Sequence, residues 1–328
     1  MPTSLSVSII NYRTGDLTIA CVQSVLEAAR GEAALDVHTV VVDNASGDGS
    51  ADQIAAWIKE QNVGDQVTLV RSPTNTGFSG GHNQGITARP SDFVLVLNSD
   101  AAIRPGALSA LIRAAEDAPD TGFFAPRLED PDGTPQVSCF RAHSPLSEVI
   151  RTAVTGAVTR ALGRYEVALG INPPPEHIEW MSFACILLRR EMIDAIGPMD
   201  EGYFLYFEDA EYALRGRRAG WGCAFVPDAR VIHYRGGSGP VKALQKAKKR
   251  LPRYYYCARS RFFHQQYGRA GLLAANLCWH LGRGIAQLRR LAGRAPVPMA
   301  ACEARDIWTN FTNPLGPRGA PGEDHGRA

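Results

Sequence analysis

The chain has 328 residues, 45% of them apolar and 21% charged, a globular composition that excludes fibrous and low-complexity proteins. Its seven cysteines are scattered, odd in number and without a Cys-x-x-Cys pair, so they suggest neither a disulfide framework nor a zinc site and fit a reducing compartment. The net charge of +2 conceals two unlike parts: residues 1–228 hold 17 Lys+Arg against 29 Asp+Glu, whereas residues 229–302 hold 15 Lys+Arg and no acid. The N-terminus has no basic leader region and no segment has the apolar length of a membrane span, so the expectation is a cytoplasmic protein.

In chain order, residues 5–10 and 37–42 are β-branched apolar runs. Each is followed by a polar turn and a helical pattern, around 16–30 and 50–61, and this alternation predicts a parallel sheet. Residues 67–70 make a third strand and 93–97 a fourth, the latter apolar on both faces. Ligands of open α/β sheets bind outside the carboxyl ends of the strands, which singles out Asn11, Asp43, Asn44, Asn98 and Asp100. A Pro/Gly-punctuated stretch at 126–135 precedes an irregular or helical insertion at 140–176 whose role is not readable. A strand at 181–188, a helix from about Asp209 and short strands at 222–226 and 230–233 follow. From Val241 the pattern is helical, two helices being broken near Gly268, and the Pro/Gly-rich tail after about 310 is expected to be loosely ordered. The implied division is an α/β domain at 1–240, a basic helical extension at 241–310 and a flexible tail at 311–328.

Four motifs carry chemistry. Phe204-Leu-Tyr-Phe-Glu-Asp-Ala-Glu211 runs aromatics into Glu208, Asp209 and Glu211 in the first turn of a helix, where the macrodipole favours negative charge by about 0.3–1 kcal/mol. An ionised carboxylate there suits a catalytic base. Asp43-Asn-Ala-Ser at a strand tip can accept from a nucleobase imide or a ribose hydroxyl. Asn75-Thr-Gly-Phe-Ser-Gly-Gly-His-Asn83 places Gly77, Gly80 and Gly81 before a short helix, freeing main-chain N–H groups for a phosphate or sugar. It is not a P-loop. Asn98-Ser99-Asp100 closes the fourth strand with a hard oxygen ligand suited to Mg2+ or Mn2+, and His233 is a second candidate ligand.

In this order the motifs resemble the inverting family 2 glycosyltransferases, and within them the bacterial rhamnosyltransferase-like and galactofuranosyltransferase-like branch. The resemblance covers about residues 5–240 and rests on Ser8-Ile-Ile-Asn-Tyr12, Asp43-Asn-Ala-Ser46, Asn75-Thr-Gly-Phe78 with Asn83, Asn98-Ser-Asp100, Glu208-Asp209 and His233. It implies the α/β GT-A fold, Rossmann-like, with a mainly parallel central sheet flanked by helices and here a C-terminal helical extension. It further implies a donor site with Asp43 on the base, Asp100 on a divalent metal, His233 completing the metal or diphosphate site, Asp209 as general base and Trp180 lining the acceptor pocket with Glu211. Asn98 stands where the family usually has the first acid of its metal motif, and Ser182-Phe183-Ala184 where it commonly has a Gly-containing turn. The donors compatible with Asp43 are deoxythymidine-diphospho-rhamnose and uridine-diphospho sugars, and the acceptor a bacterial cell-surface glycan or a lipid-linked precursor. Arg235 or a basic residue after it would support the leaving diphosphate.

Two other readings share parts of this pattern: an inactive nucleotide- or glycan-binding module that recruits partners through its basic arm, and a sugar nucleotidyltransferase. The intact Glu208-Asp209 pair argues against the first. The lack of a good triphosphate loop in Asn11-Tyr-Arg-Thr-Gly-Asp16 argues against the second. The acid-free segment, with Lys242, Lys246, Lys248, Lys249, Arg250 and Arg253 followed by Tyr254, Tyr255, Tyr256, Phe262, Phe263 and Trp279, could meet anionic lipid, nucleic acid or the acidic face of its own first domain. The favoured partner is the inner membrane face, through 242–290, and not nucleic acid. A homodimer through the helical arm is compatible with the same segment.

Overall fold

The computed structural model describes residues 2–234, 241–291, 293–295 and 297–322. Arg235, expected near the diphosphate, lies outside them. The apolar runs form β1 (Thr3–Asn11), β2 (Leu35–Asp43), β3 (Val67–Arg71) and β4 (Phe93–Asn98), all parallel, with α1 (Gly15–Ala29), α2 (Ser50–Glu60) and α3 (Gly77–Ala88) as crossovers. Period-two alternation lets one strand feed two cores. Leu95 and Leu97 face a cluster with α1 and α2, while Val94 and Val96 face a second cluster on the other side of the sheet.

Next come β5 (Ala101–Ile103), α4 (Ala107–Asp117) and β6 (Thr121–Glu129), then the short β7 (Cys139–Phe140). After these follow α5 (Pro145–Ala153), α6 (Gly156–Ala161), β8 (Trp180–Met181), β9 (Cys185–Arg189), α7 (Arg190–Ile196), α8 (Glu208–Arg218) and β10 (Gly222–His233). The sheet order is β3-β2-β1-β4-β9-β6-β10-β5, with β9 antiparallel to β4 and β6. The strand expected at 181–188 is thus two strands in different sheets, and the two expected at 222–233 are one, irregular between Val226 and Arg230. β5 follows β4 after two residues yet pairs with β10 at the far edge. Two linking residues span only about 10 Å, so the sheet curls until its β10 edge stands beside the end of β4. That curl brings the ends of distant strands together.

The C-terminal region is α9 (Val241–Lys246), α10 (Arg253–Leu291) and α11 (Glu303–Asp306). Gly268, at φ 68° and ψ −172°, breaks α10 where two helices were expected. The extension shares one core with the first domain and adds another: Phe262, Phe263, Leu272 and Ala275 belong to the same cluster as Val94 and Val96, while Val241, Leu251, Trp279 and Ile307 form a third cluster that takes in Phe204. Tyr254, Tyr256, Phe262, Phe263 and Trp279, read in the sequence as membrane-facing, are 6% exposed or less. Self-docking on the acidic first domain accounts for part of the basic charge: Arg259 pairs with Glu148 of α5 at 2.9 Å and Arg261 with Asp200 at 2.8 Å. The tail is packed as far as it is described. Arg318 donates to the carbonyls of Thr76 and Glu201 and lies over the Phe204 ring, and Ala320 is buried.

Candidate active site

At the paired tips of β1 and β2, Asn11 lies opposite Asp43 in register. Its Nδ2 donates to Asp43 Oδ1 at 2.7 Å and reaches the Ser46 and Ser50 hydroxyls, while its Oδ1 accepts from Thr14 and Thr18. Asn11 is fully buried and Asp43 is 5% exposed. Both were expected to touch the nucleotide; Asn11 is instead a hub behind the surface. Asn44, next in the chain, is also buried and spans to α3, donating to Gly77 O and accepting from Thr76 N.

Across the curl, β5 and β10 pair antiparallel with His233 opposite Ala101, and Tyr234 N donates to Asp100 O. This sets His233 Nε2 3.6 Å from Asp100 Oδ1. Gln136 fixes the imidazole from behind, donating to His233 O at 2.8 Å with its Oε1 3.2 Å from Nδ1. The pair joins one carboxylate and one imidazole. Among the described residues no group of three His, Cys, Asp or Glu side chains is gathered for a metal. Two protein donors nevertheless fit Mg2+ or Mn2+, which are held by one or two protein ligands and otherwise by substrate phosphates and water. Asn98 and Ser99 stand beside the pair in the wall of the same cavity.

Opposite them, α3 is stitched to the loop that carries the acids. Phe78 N donates to Phe204 O at 2.8 Å, and Gly77, at φ +76°, has its Cα so close that a Cβ would lie 2.2 Å from that oxygen. The α3 glycines lie within the helix and not before it. A Cβ at Gly81 would meet Ile10 and one at Gly85 would meet Ser8, so they allow close packing on β1 and do not form a phosphate loop. Tyr206 and Phe207 both hold positive φ, 76° and 69°, a conformation that costs of order 1–3 kcal/mol at a non-glycine residue. Directly after them, Glu208 and Asp209 open α8. Burial, joined by the negative charge of Asp209, pushes the Glu208 carboxyl well above the usual carboxylate range. Burial also pushes Asp209 up to about 6, the main-chain N–H groups of Ala210 and Phe183 pulling the other way. Glu208 Oε2 has no hydrogen-bond partner among the described residues.

These elements enclose a cavity of about 470 Å³. Of the residues named from sequence, Asn44, Asn75, Gly77, Asn98, Ser99, Glu208, Asp209 and His233 line it. Others do not. Asn83 is bonded to both main-chain groups of Met199 and to Glu201, holding the loop that enters the acid motif. Glu211 makes an i,i+4 ion pair with Arg215 at 2.9 Å. Trp180 stacks on Phe140 and donates to Arg141 O. Neither Trp180 nor Glu211 reaches the cavity that holds Asp209. Residues missed from sequence complete the wall: Tyr12, Thr14 and His82 on one side, and Lys242, Pro252, Tyr254 and Pro321 from the C-terminal region. The first three lie within stretches already singled out and were within reach of sequence reasoning. The last four have no local signal, because only tertiary packing brings them there. His82 is fully buried, held 2.9 Å from Ser8 Oγ, and burial lowers its pKa to about 3, so the ring is neutral.

The model of the family "Glycosyl transferase family 2" matches residues 6–197. An N-acetylglucosaminyl-diphospho-decaprenol L-rhamnosyltransferase of Mycobacterium tuberculosis is 29% identical over 222 residues, 62% of this chain and 68% of that protein. The low-salt glycan biosynthesis hexosyltransferase Agl10 of Haloferax volcanii is 25% identical over 222 residues, 66% of this chain and 63% of that protein. Among solved structures, the mannosyltransferase PcManGT of Pyrobaculum calidifontis, in complex with GDP-Man and Mn2+, superposes with a TM-score of 0.56 at 15% identity, over 96% of this chain and 85% of that one. GalNAc-T7 with UDP, GalNAc and Mn2+ gives 0.57 at 15% identity, over 96% and 59%. At that identity the likeness shows the fold, which is GT-A.

Proposed function

The chain belongs to glycosyl transferase family 2, and on that premise we propose that it moves a sugar, with inversion, from a nucleoside diphosphate to a hydroxyl of a cell-surface glycan or lipid-linked acceptor, Asp209 being the general base. The observation that carries this is the placing of Asp209. It lines the cavity at a helix N-terminus, and its pKa near 6 leaves it ionised at neutral pH yet a better proton acceptor than an ordinary carboxylate.

In the reaction the acceptor oxygen forms a bond to the anomeric carbon while the bond from that carbon to the diphosphate oxygen breaks, its electron pair leaving with the diphosphate. The acceptor's proton goes to Asp209 Oδ. Burial and the neighbouring Asp209 charge push the Glu208 carboxyl up, which disfavours a second charge beside the base. The diphosphate falls to the Asn98, Ser99 and His233 side of the cavity, with the ammonium of Lys242 in the same wall. Asp100 and His233 would hold Mg2+ or Mn2+, which when bound neutralises charge on the phosphate oxygens. The nucleoside falls to Asn44, Asn75 and Gly77, with Asp43 behind them. The donors this reading favours are deoxythymidine-diphospho-rhamnose or a uridine-diphospho sugar; the rhamnosyltransferase named above supports the former. Contact of 242–290 with an anionic membrane belongs to the reading, supported by the acid-free composition of 229–302.

The test is a thermal-shift panel of nucleoside diphosphates with and without Mn2+, where ligand at about a hundredfold over its Kd stabilises by roughly 2.7 kcal/mol. Thymidine or uridine diphosphate is expected to stabilise the protein, and Asp209→Asn to keep that shift while lowering turnover about 10²–10⁴-fold. A protein indifferent to every nucleotide, or an Asp209→Asn variant with unchanged turnover, would overturn the reading.

A further inference from the structure

We propose that the half of α10 after Gly268 is a docking face for an anionic bilayer, into whose acyl boundary Leu277, Leu281 and Leu288 insert. The inference rests on the transferase reading only for its purpose, since a lipid-linked acceptor would bring the enzyme to a membrane.

Beyond the kink, Leu272, Ala275, Asn276, Trp279 and Ala286 form the buried face of the helix. At about 100° per residue the opposite face is Leu273, Leu277, Leu281, Leu288 and Leu291, spaced by four, four, seven and three residues. These leucines are 40%, 56%, 58%, 65% and 84% exposed, rising toward the helix end. A single exposed leucine is ordinary, whereas a continuous aliphatic stripe opposite the buried face marks an interaction surface. An outward face that serves only solvent would carry the polar side chains instead.

The charge around the stripe decides between occupants. Arg269, Arg283, Arg289 and Arg290 lie on this half-helix, and no acid occurs from 229 to 302. Arg283 donates to Val297 O and Arg289 to Ala153 O, contacts to neutral carbonyls that leave the charge in place. A two-fold contact with a second copy would bring two arginine-bearing half-helices together, and residues 229–302 hold no carboxylate to compensate. Anionic headgroups supply that compensation, and the leucines supply apolar insertion. Among the described residues no helix is long and apolar enough to cross a membrane, so this one would lie in the interface plane. Of the aromatics that suggested membrane contact from sequence, Tyr254, Tyr256, Phe262, Phe263 and Trp279 take no part, being buried.

The experiment is flotation of the full chain with vesicles of phosphatidylcholine alone or mixed with phosphatidylglycerol, at low salt. Wild type is expected to float with the mixed vesicles and not with the neutral ones. The triple variant Leu277→Ser, Leu281→Ser, Leu288→Ser is expected to float at least about tenfold less, with unchanged melting temperature and unchanged stabilisation by nucleoside diphosphate. The proposal is overturned if the variant floats like wild type, if neutral vesicles serve equally, if wild type stays unbound, or if the substitutions turn a dimer into a monomer without changing flotation. Nucleotide stabilisation reports on the transferase reading alone, so failure of either idea is visible without the other.

Discussion

Glu208 and Asp209 are neighbouring acids whose burial makes both hold protons more tightly than exposed carboxyls do. For catalysis the sign is simple: below its pKa Asp209 carries a proton and cannot accept another. The kcat/KM for transfer should therefore rise with pH through about 6, and a profile flat across that window would remove Asp209 from the role. For stability the sign is opposite to that of a paired acid. An unfolded glutamate titrates near about 4.3, so above that pH the unfolded chain releases a proton the native state keeps, and stability falls as pH rises toward the folded pKa. Glu208→Gln abolishes this loss. Its melting temperature should exceed wild type by a margin that widens as pH rises above the unfolded value of about 4.3; parallel curves would contradict it. The acids themselves were legible in the sequence, as was their helix. The left-handed Tyr206 and Phe207 that aim them were not, because side-chain sterics disfavour that conformation at aromatic residues. Only tertiary contacts hold it, among them the packing of Phe207 on Tyr255 and Phe262.

At the scale of elements, α3 decides how closely the cavity walls approach. Gly77→Ala would add a left-handed residue and drive a Cβ into the Phe204 carbonyl. We expect a cost of about 3 kcal/mol together with weakened nucleotide binding. Gly64→Ala, where an added Cβ meets nothing within 4 Å, should leave both unchanged. Denaturant unfolding and calorimetric titration measure the two effects, and equal behaviour of the two variants would refute the stitching. Long apolar strands such as β4 were readable from their pattern. β5 was not, having only three residues and a partner 130 positions away, and without β5 the pairing of Asp100 with His233 could be suggested from sequence only by family resemblance. The glycines of α3 looked like a phosphate loop because sequence records their lack of a side chain and not what occupies the space.

Over the whole molecule, the insertion and the extension are joined through buried charge. Glu148 accepts from Arg151 at 2.8 Å and from Arg259 at 2.9 Å, and Arg259 also donates to Asn276. Both arginines hold the Glu148 carboxyl down to about 2 against the opposing effect of burial. Its contribution is therefore complete above the unfolded pKa and lost as pH falls toward 2. Glu148→Gln would leave Arg259 charged with its carboxylate gone, at about 3–5 kcal/mol. Urea unfolding at neutral pH measures the deficit, which should shrink as acid protonates wild type; a variant as stable as wild type at neutral pH would show the pair to be dispensable. No sequence pattern announces a partner 111 residues away, which is why the insertion could be delimited but not understood. The cavity wall runs from Ile10 to Pro321. As the chain is synthesised, then, the sheet and the core on its α1 and α2 side can form once β10 has emerged, whereas the second core waits for α10 and the pocket wall for Pro321. The growing polypeptide acquires its architecture well before its competence.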